Sequence, residues 1–426
     1  MPMLSACVHA STVVSSFISH CLSPKVNLSC SSMAASSSIR IAVVGDVHDY
    51  WSFEQDSKAL EFLQPDLVLF TGDFGDENVE VVQSVANIEF AKAVILGNHD
   101  AWFTKQFSRS QEKDKVQLQL ECLGEDHVAY RRSDFPLIKV SVVGGRPFSS
   151  GGKPLSQKKL LSARYGVKDM NESAKRIQKA ALGRPDDHFL ILLAHNGPTG
   201  LGSDLNDICG KDWEFEGNGD YGDPDLAHAI SLLKENDQVS IPLVVFGHMH
   251  KELAYGNGFR KMIVVGADNT IYLNGAIVPR VKSLNDEDKR SLDEESVLSS
   301  SEAKGTRRAF TLVEISEGRV VEIAESWVSV VEDRTTLEEK HILFEAVPFA
   351  VMVTSLFKLA LRACGDTVLS KFYSLLQALY TDSAADSSKV KVKEAVILKV
   401  WCTEFQAVYG LFLTRPVPLQ PLDNRK

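Results

Sequence analysis

The chain has 426 residues, 44% hydrophobic and 24% charged, with a net charge of −10. This balance fits a globular chain of one large or two ordinary domains, and the acidic charge argues against a nucleic-acid partner and a dedicated nuclease, although a local basic channel would escape this test. The seven cysteines show no CxxC spacing, which argues against a disulfide framework or a thiolate zinc site, and no run of about 18 uncharged apolar residues offers a membrane span.

Residues 1–38 differ in composition from the rest of the chain: twelve serines, one lysine and no acidic residue. This is the composition of an organelle transit peptide, most plausibly a plastid (chloroplast) one, or of a merely disordered leader. From residue 39 short apolar runs bounded by Gly, Pro or Asp predict strands at Ile39–Gly45, Asp66–Thr71, Lys92–Leu96, Leu137–Gly144, His188–Ala194, Pro242–Phe246 and Lys261–Gly266. Helical spacing predicts helices over Gln55–Leu63, Leu160–Leu182 and Asp225–Leu233, so the alternation predicts an α/β fold. Later runs at Thr270–Leu273, Ala309–Ile315 and Val320–Val328 lack intervening helices and predict antiparallel strands. The polar block between Lys282 and Thr306 reads as a disordered insertion (282–306) in a hairpin. The core domain is expected over 39–335. Residues 341–426 are expected to form a helical extension of unassigned role, with helices at His341–Ala363, Val368–Tyr380 and Lys391–Leu413, that is open to a protein partner.

Five of the apolar runs end in metal-type residues: Asp46-Val47-His48, Gly72-Asp73, Gly97-Asn98-His99-Asp100, Ala194-His195 and Gly247-His248-Met249-His250. In extended backbone residues i and i+2 point the same way, so Asp46 with His48, and His248 with His250, each read as a two-toothed clamp. Groups at the carboxyl ends of strands in one open sheet converge, and oxygen and imidazole donors meeting at one point can hold two metal ions. The glycines before the ligand-type residues permit sharp turns and close loop approach. Taken singly, His195 reads as a core histidine, Asp73 as a cap and Asn98 as a turn residue; the set carries the functional reading.

In order and in all five blocks the chain resembles the calcineurin-like metallophosphoesterases, whose pattern is DxH, GDxxD, GNH[DE], a lone His and GHxH. The resemblance covers about residues 39–330, and the overall spacing is similar to that of a plant and cyanobacterial branch. It implies two stacked mixed β-sheets flanked by helices. It implies that Asp46, His48 and His250 hold one divalent ion, that Asn98, His195 and His248 hold another, and that Asp73 bridges them, with Mn, Fe, Zn or Ni all suited to the donors. The implied activity is hydrolysis of a phosphomonoester or phosphodiester, on a small substrate, by a metal-bridging hydroxide. His99 is the implied general acid, and Asp100 is expected to orient it. The rival is a metal-binding scaffold without catalysis. Asp76 occupies the position where purple acid phosphatases carry a Tyr ligand, so an iron–tyrosinate site is not expected. Asp76-Glu77-Asn78 and Asp100 also depart from the Asp-Arg-Gly and GNHE of protein Ser/Thr phosphatases.

Arg146 reads either as a phosphate arm or as a surface salt bridge. His127, His188 and His228 read as structural. Asp204–Asp225, with Trp213, Phe215 and Tyr221, reads as a lid or specificity loop or as a solvated loop.

Overall fold

The computed structural model describes residues 38–109, 111–213, 219–235, 239–284 and 305–346. The expected leader, most of the 282–306 insertion and the helices expected after residue 346 lie outside the described residues. The described residues all belong to one compact unit.

Two mixed sheets build this unit. One contains β1 (Ile39–Val44), β2 (Leu67–Phe70) and β3 (Lys92–Val94). The other contains β4 (Arg132–Phe135), β5 (Val140–Gly144), β6 (Phe189–Leu193), β7 (Leu243–Phe246), β8 (Ile263–Val265) and β9 (Ile271–Asn274). The chain then returns to the first sheet as β10 (Val281–Ser283), β11 (Thr306–Ser316), β12 (Arg319–Val331) and β13 (Arg334–Glu345). The first sheet runs β13-β12-β11-β1-β2-β3 with β10 beside β11, and the second runs β4-β5-β6-β7-β9-β8. Strands β1, β2 and β3 are parallel, as are β5, β6, β7 and β9, while β11 lies antiparallel to β1 and β12.

Side-chain alternation explains the layering. Ile41, Val43, Leu67, Leu69, Val313 and Ile323 share one buried cluster with Val142, Ile191, Leu193, Leu243, Val245 and Leu273 of the second sheet. That cluster fills the space between the sheets. The alternate residues Ala42, Val44, Val68, Phe70, Leu190, Leu192 and Val244 belong to a second cluster with helical residues. Strands apolar on both faces are thereby explained, since each face has a cover.

The helices doing the covering are α1 (Phe53–Leu63), α2 (Val79–Ala86), α3 (Lys115–Leu123), α4 (Lys158–Tyr165), α5 (Met170–Ala181) and α6 (Pro224–Glu235). The single helix expected over Leu160–Leu182 is two, because Gly166 takes a left-handed φ of 66° and Asp169 caps the second by accepting from the Glu172 N–H. The helix expected from His341 is corrected at its start: residues 341–345 finish β13. This edge strand is mostly exposed and polar, so it gives no period-two apolar signal. The hairpin around the polar insertion is present, with Ser283 paired to Thr306. No helix among the described residues is long and apolar enough to cross a membrane.

Candidate metal centre

The loops leaving the carboxyl ends of β1, β2, β3, β6 and β7 carry the five motifs. The backbone there is unusual. Asp46, His48, Asp73 and His248 take positive φ values of 48°, 43°, 54° and 68°. Left-handed backbone costs a non-glycine residue on the order of 1–3 kcal/mol, and four such residues at one place mark a site where geometry is set against local preference. The expected extended-strand clamp is therefore corrected: β1 ends at Val44, and Asp46 and His48 converge through a left-handed turn. Gly97 is needed for space, because a Cβ there would intrude on the Asp73 carboxylate and the His195 ring.

Three groups of donors have their ligand-type atoms within 4.8 Å of one another: Asp46, His48 and His250; His48, Asp73 and His99; and Asp73, His195 and His248. Asp73 belongs to two of them. Asn98 joins the third, its Oδ1 lying 2.9 Å from His195 Nε2. His195 Nδ1 donates to the Thr71 carbonyl at 2.7 Å, which leaves the Nε2 lone pair facing Asn98 Oδ1 and, at 3.4 Å, Asp73 Oδ1. Acceptors aimed at one point in this way are the arrangement a cation resolves. His48 Nε2 and His250 Nε2 also lie only 3.0 Å apart.

The electrostatics agree. Asp46 and Asp73 are each 1% exposed. Among the described residues their ion-pair partners are all histidines: His250 at 3.9 Å for Asp46, and His48 and His195 at 4.0 and 3.4 Å for Asp73. Burial pushes His248 down to about 3 and His250 to about 4, and it lowers His48 and His195 too, so these imidazoles are neutral at physiological pH and free to coordinate. Burial and the charge of Asp73 drive Asp46 well above the carboxylate range, whereas the surrounding histidines outweigh burial at Asp73 and hold it low. Other buried carboxylates are neutralised differently: Asp56 by Arg280 and Arg308, Asp223 and Asp225 by Arg146, Glu325 by Lys251. Divalent cations fit the compensation that Asp46 and Asp73 lack.

His99 stands beside this cluster. Its Nδ1 lies 2.6 Å from Asp76 Oδ1. The orienting role expected of Asp100 is corrected. Asp100 is fully buried, and its carboxylate accepts the backbone N–H groups of Asp73, Phe74 and Gly97 at 2.9, 2.9 and 2.6 Å. It welds the β2 and β3 loops together through these backbone bonds, while the imidazole Nδ1 of His99 meets Asp76. Sequence reasoning missed Asp76 as a partner, although its place three residues after Asp73 was the signal. It also missed Thr71, which holds His195 and donates to Asp46 Oδ2 at 3.5 Å.

Arg146 is 1% exposed and forms buried pairs with Asp223 at 2.8 Å and Asp225 at 3.0 Å, so it is neither a phosphate arm nor a surface bridge. His127 and His188 are buried and hydrogen-bonded to the Leu96 N–H and the Ser141 hydroxyl. In the loop after His195, Ile208, Cys209, Asp212 and Asp223 are buried, while Phe215 lies outside the described residues. Arg260 secures it, donating to the carbonyls of Leu205, Asp207 and Gly210 and to that of His250.

The family model of the calcineurin-like phosphoesterases matches residues 39–252. The chain belongs to this family, which uses divalent metals, and its phosphoesterase character is established at that level. Among solved structures, a dimetal phosphatase from Danio rerio is similar at 10% identity and a TM-score of 0.34, over 72% of this chain and 99% of that one. A hypothetical protein from Thermus thermophilus is similar at 14% identity and a TM-score of 0.35, over 71% of this chain and 100% of that one. A conserved uncharacterized protein from Streptococcus pneumoniae is similar at 10% identity and a TM-score of 0.24, over 72% and 99%. No curated protein matches.

Proposed function

We propose that the protein is a dimetal-dependent phosphoric ester hydrolase acting on a small phosphomonoester or phosphodiester. The observation that carries this reading is the convergence of Asp46, His48, His250, His195 and His248 around Asp73, whose carboxylate and that of Asp46 are buried and have no lysine or arginine partner among the described residues. Asp46, His48 and His250 would hold one ion, Asn98, His195 and His248 the other, and Asp73 would serve both. Bound divalent ions supply an activated water and neutralise phosphoryl oxygens.

The chain's own residues supply the rest. Thr71 fixes the His195 tautomer so that Nε2 faces the site. The Asp46 carboxylate accepts the His248 backbone N–H through both oxygens at 3.0 Å, which fixes the turn carrying His248. Asp100 fixes the Asp73 and Asn98 loops against each other. His99, held at Nδ1 by Asp76, has Nε2 left to pass a proton to the departing alkoxide, a role worth on the order of 10²–10⁴ in rate.

The test is hydrolysis of p-nitrophenyl phosphate and its bis-ester by purified protein supplied with Mn²⁺, Fe²⁺, Zn²⁺ or Ni²⁺. Turnover that disappears in Asp73→Asn supports the reading. A folded wild type inactive with every metal overturns it in favour of a metal-binding scaffold. We further propose that residues 1–38 act as a plastid leader, on their Ser-rich, acid-free composition; fused to a fluorescent protein they should direct it to plastids, and cytosolic fluorescence would remove the assignment.

A further inference from the structure

One hydrogen bond at Nδ1 does not fix an imidazole. It sets a point and a direction, but the ring can still swing about that axis and carry Nε2 away from its target. His99 has a second restraint. The indole of Trp102 lies parallel to its ring, with centroids 4.5 Å apart and an interplanar angle of 7°. The His48 ring meets His99 edge-on, at 4.9 Å and 88°. Stacking of this kind adds to area burial enough to bias a side-chain orientation by several-fold.

Trp102 is itself held. It follows the short 3-10 turn His99–Ala101, and its N–H bonds the His99 carbonyl at 3.2 Å. The next two residues are secured by Glu77, only 3% exposed, whose carboxylate accepts the N–H groups of Phe103 and Thr104 at 2.8 and 2.5 Å and the Thr104 hydroxyl at 3.1 Å. The Glu77 N–H also bonds the His99 carbonyl at 3.0 Å. The adjacent residues Asp76 and Glu77 thus act as a pair: one grips the His99 ring, the other fixes the turn that sets the indole against it. Trp102 remains 46% exposed, so core filling does not account for its position.

We infer that Trp102 is a positioning residue: stacked on His99 and anchored through Glu77, it locks the plane of the imidazole so that Nε2 faces the leaving oxygen. The inference rests on the phosphoesterase reading and on His99 as the proton donor. It predicts a loss that depends on the leaving group, because p-nitrophenolate departs without protonation and an alkoxide does not.

The experiment uses the full chain, loaded with the metal that supports activity, and a series of aryl and alkyl phosphates of rising leaving-group pKa. Trp102→Ala should leave p-nitrophenyl phosphate turnover unchanged within about 1.5-fold and metal content unchanged. It should lower kcat for alkyl phosphates by several-fold to about tenfold, the bias that the lost stack supplied, and so steepen the dependence of rate on leaving-group pKa. Trp102→Phe should restore most of the loss. Independently, with zinc bound, the ¹³C-labelled His99 ring protons should show the upfield ring-current shift of a stacked indole, and this shift should vanish in Trp102→Ala. A uniform loss across the series, no loss, or an unshifted His99 resonance would overturn the inference. A wild type that hydrolyses none of the series would instead overturn the phosphoesterase reading, while the resonance would still report on the stack.

Discussion

Asp46 and Asp73 share one environment and respond to it differently. Both are buried, but burial raises Asp46 well above the carboxylate range with the field of Asp73 adding to it, while at Asp73 the raising effect of burial is overcome by the nearby His195, His99, His248 and His48 and its carboxyl stays lowered. A neutral Asp73 side chain should therefore be the more damaging change, and Asp73→Asn should remove bound metal from both donor groups, as read by metal content per chain. Gly97→Ala acts through the same carboxylate, since the added methyl takes space used by Asp73 and His195. It should cost about 1–3 kcal/mol as an overpacked site and lower metal content; full occupancy with wild-type stability would contradict the packing account. His127 gives a pH prediction away from the ligands. Its Nε2 accepts the Leu96 N–H, and burial pushes it down to about 3 from 6.5. A depressed folded-state value leaves its contribution intact above pH 6.5 and erodes it as pH falls toward 3, because the unfolded chain takes up the proton first. His127→Gln keeps an acceptor without a titration, so its urea midpoint should fall less than that of wild type between about pH 7 and about pH 4. Identical slopes would show that His127 does not contribute. The donor residues themselves were legible in the sequence, because oxygen and imidazole donors at strand ends leave a pattern. The roles of Asp76 and Asp100 were not, because adjacency to His99 in sequence says nothing about which carboxylate faces the ring.

At the scale of elements, apolar runs gave the strands their places, since strands buried on both faces read as continuous Val, Ile and Leu. Strands β4 and β13 escaped, one lying at a sheet edge and the other mostly exposed, where no apolar pattern is required. Helices α2 and α3 also escaped; each is announced only by an Asx cap, at Asn78 and Asp114. The tie between α1 and the first sheet is ionic as well as apolar. Asp56 of α1 is fully buried and pairs with Arg308 of β11 at 2.7 Å and with Arg280 at 2.9 Å. Asp56→Ala would leave two buried guanidinium groups without their carboxylate, and it should destabilise the fold by about 3–5 kcal/mol in urea denaturation. A loss below about 1 kcal/mol would show that water compensates the arginines.

For the whole molecule, topology does what no local signal can. The parallel strands β1, β2 and β3 of one sheet and β6 and β7 of the other bring their carboxyl ends to a common edge, and residues as far apart in sequence as Asp46 and His248 meet there. The two sheets share a single interior cluster, which packs them against each other beneath that edge. Because the described residues all belong to one compact unit, a chain ending at Ala346 should keep the fold, the metal content and the hydrolytic rate; loss of folding would assign a structural role to residues 347–426. The most direct test of the central claim is an anomalous-scattering map from crystals of the protein grown with Mn²⁺. The account predicts two peaks about 3.5–4 Å apart, with the Asp73 carboxylate between them, Asp46, His48 and His250 around one, and Asn98, His195 and His248 around the other. A single peak, or peaks that leave Asp73 without metal, would contradict it.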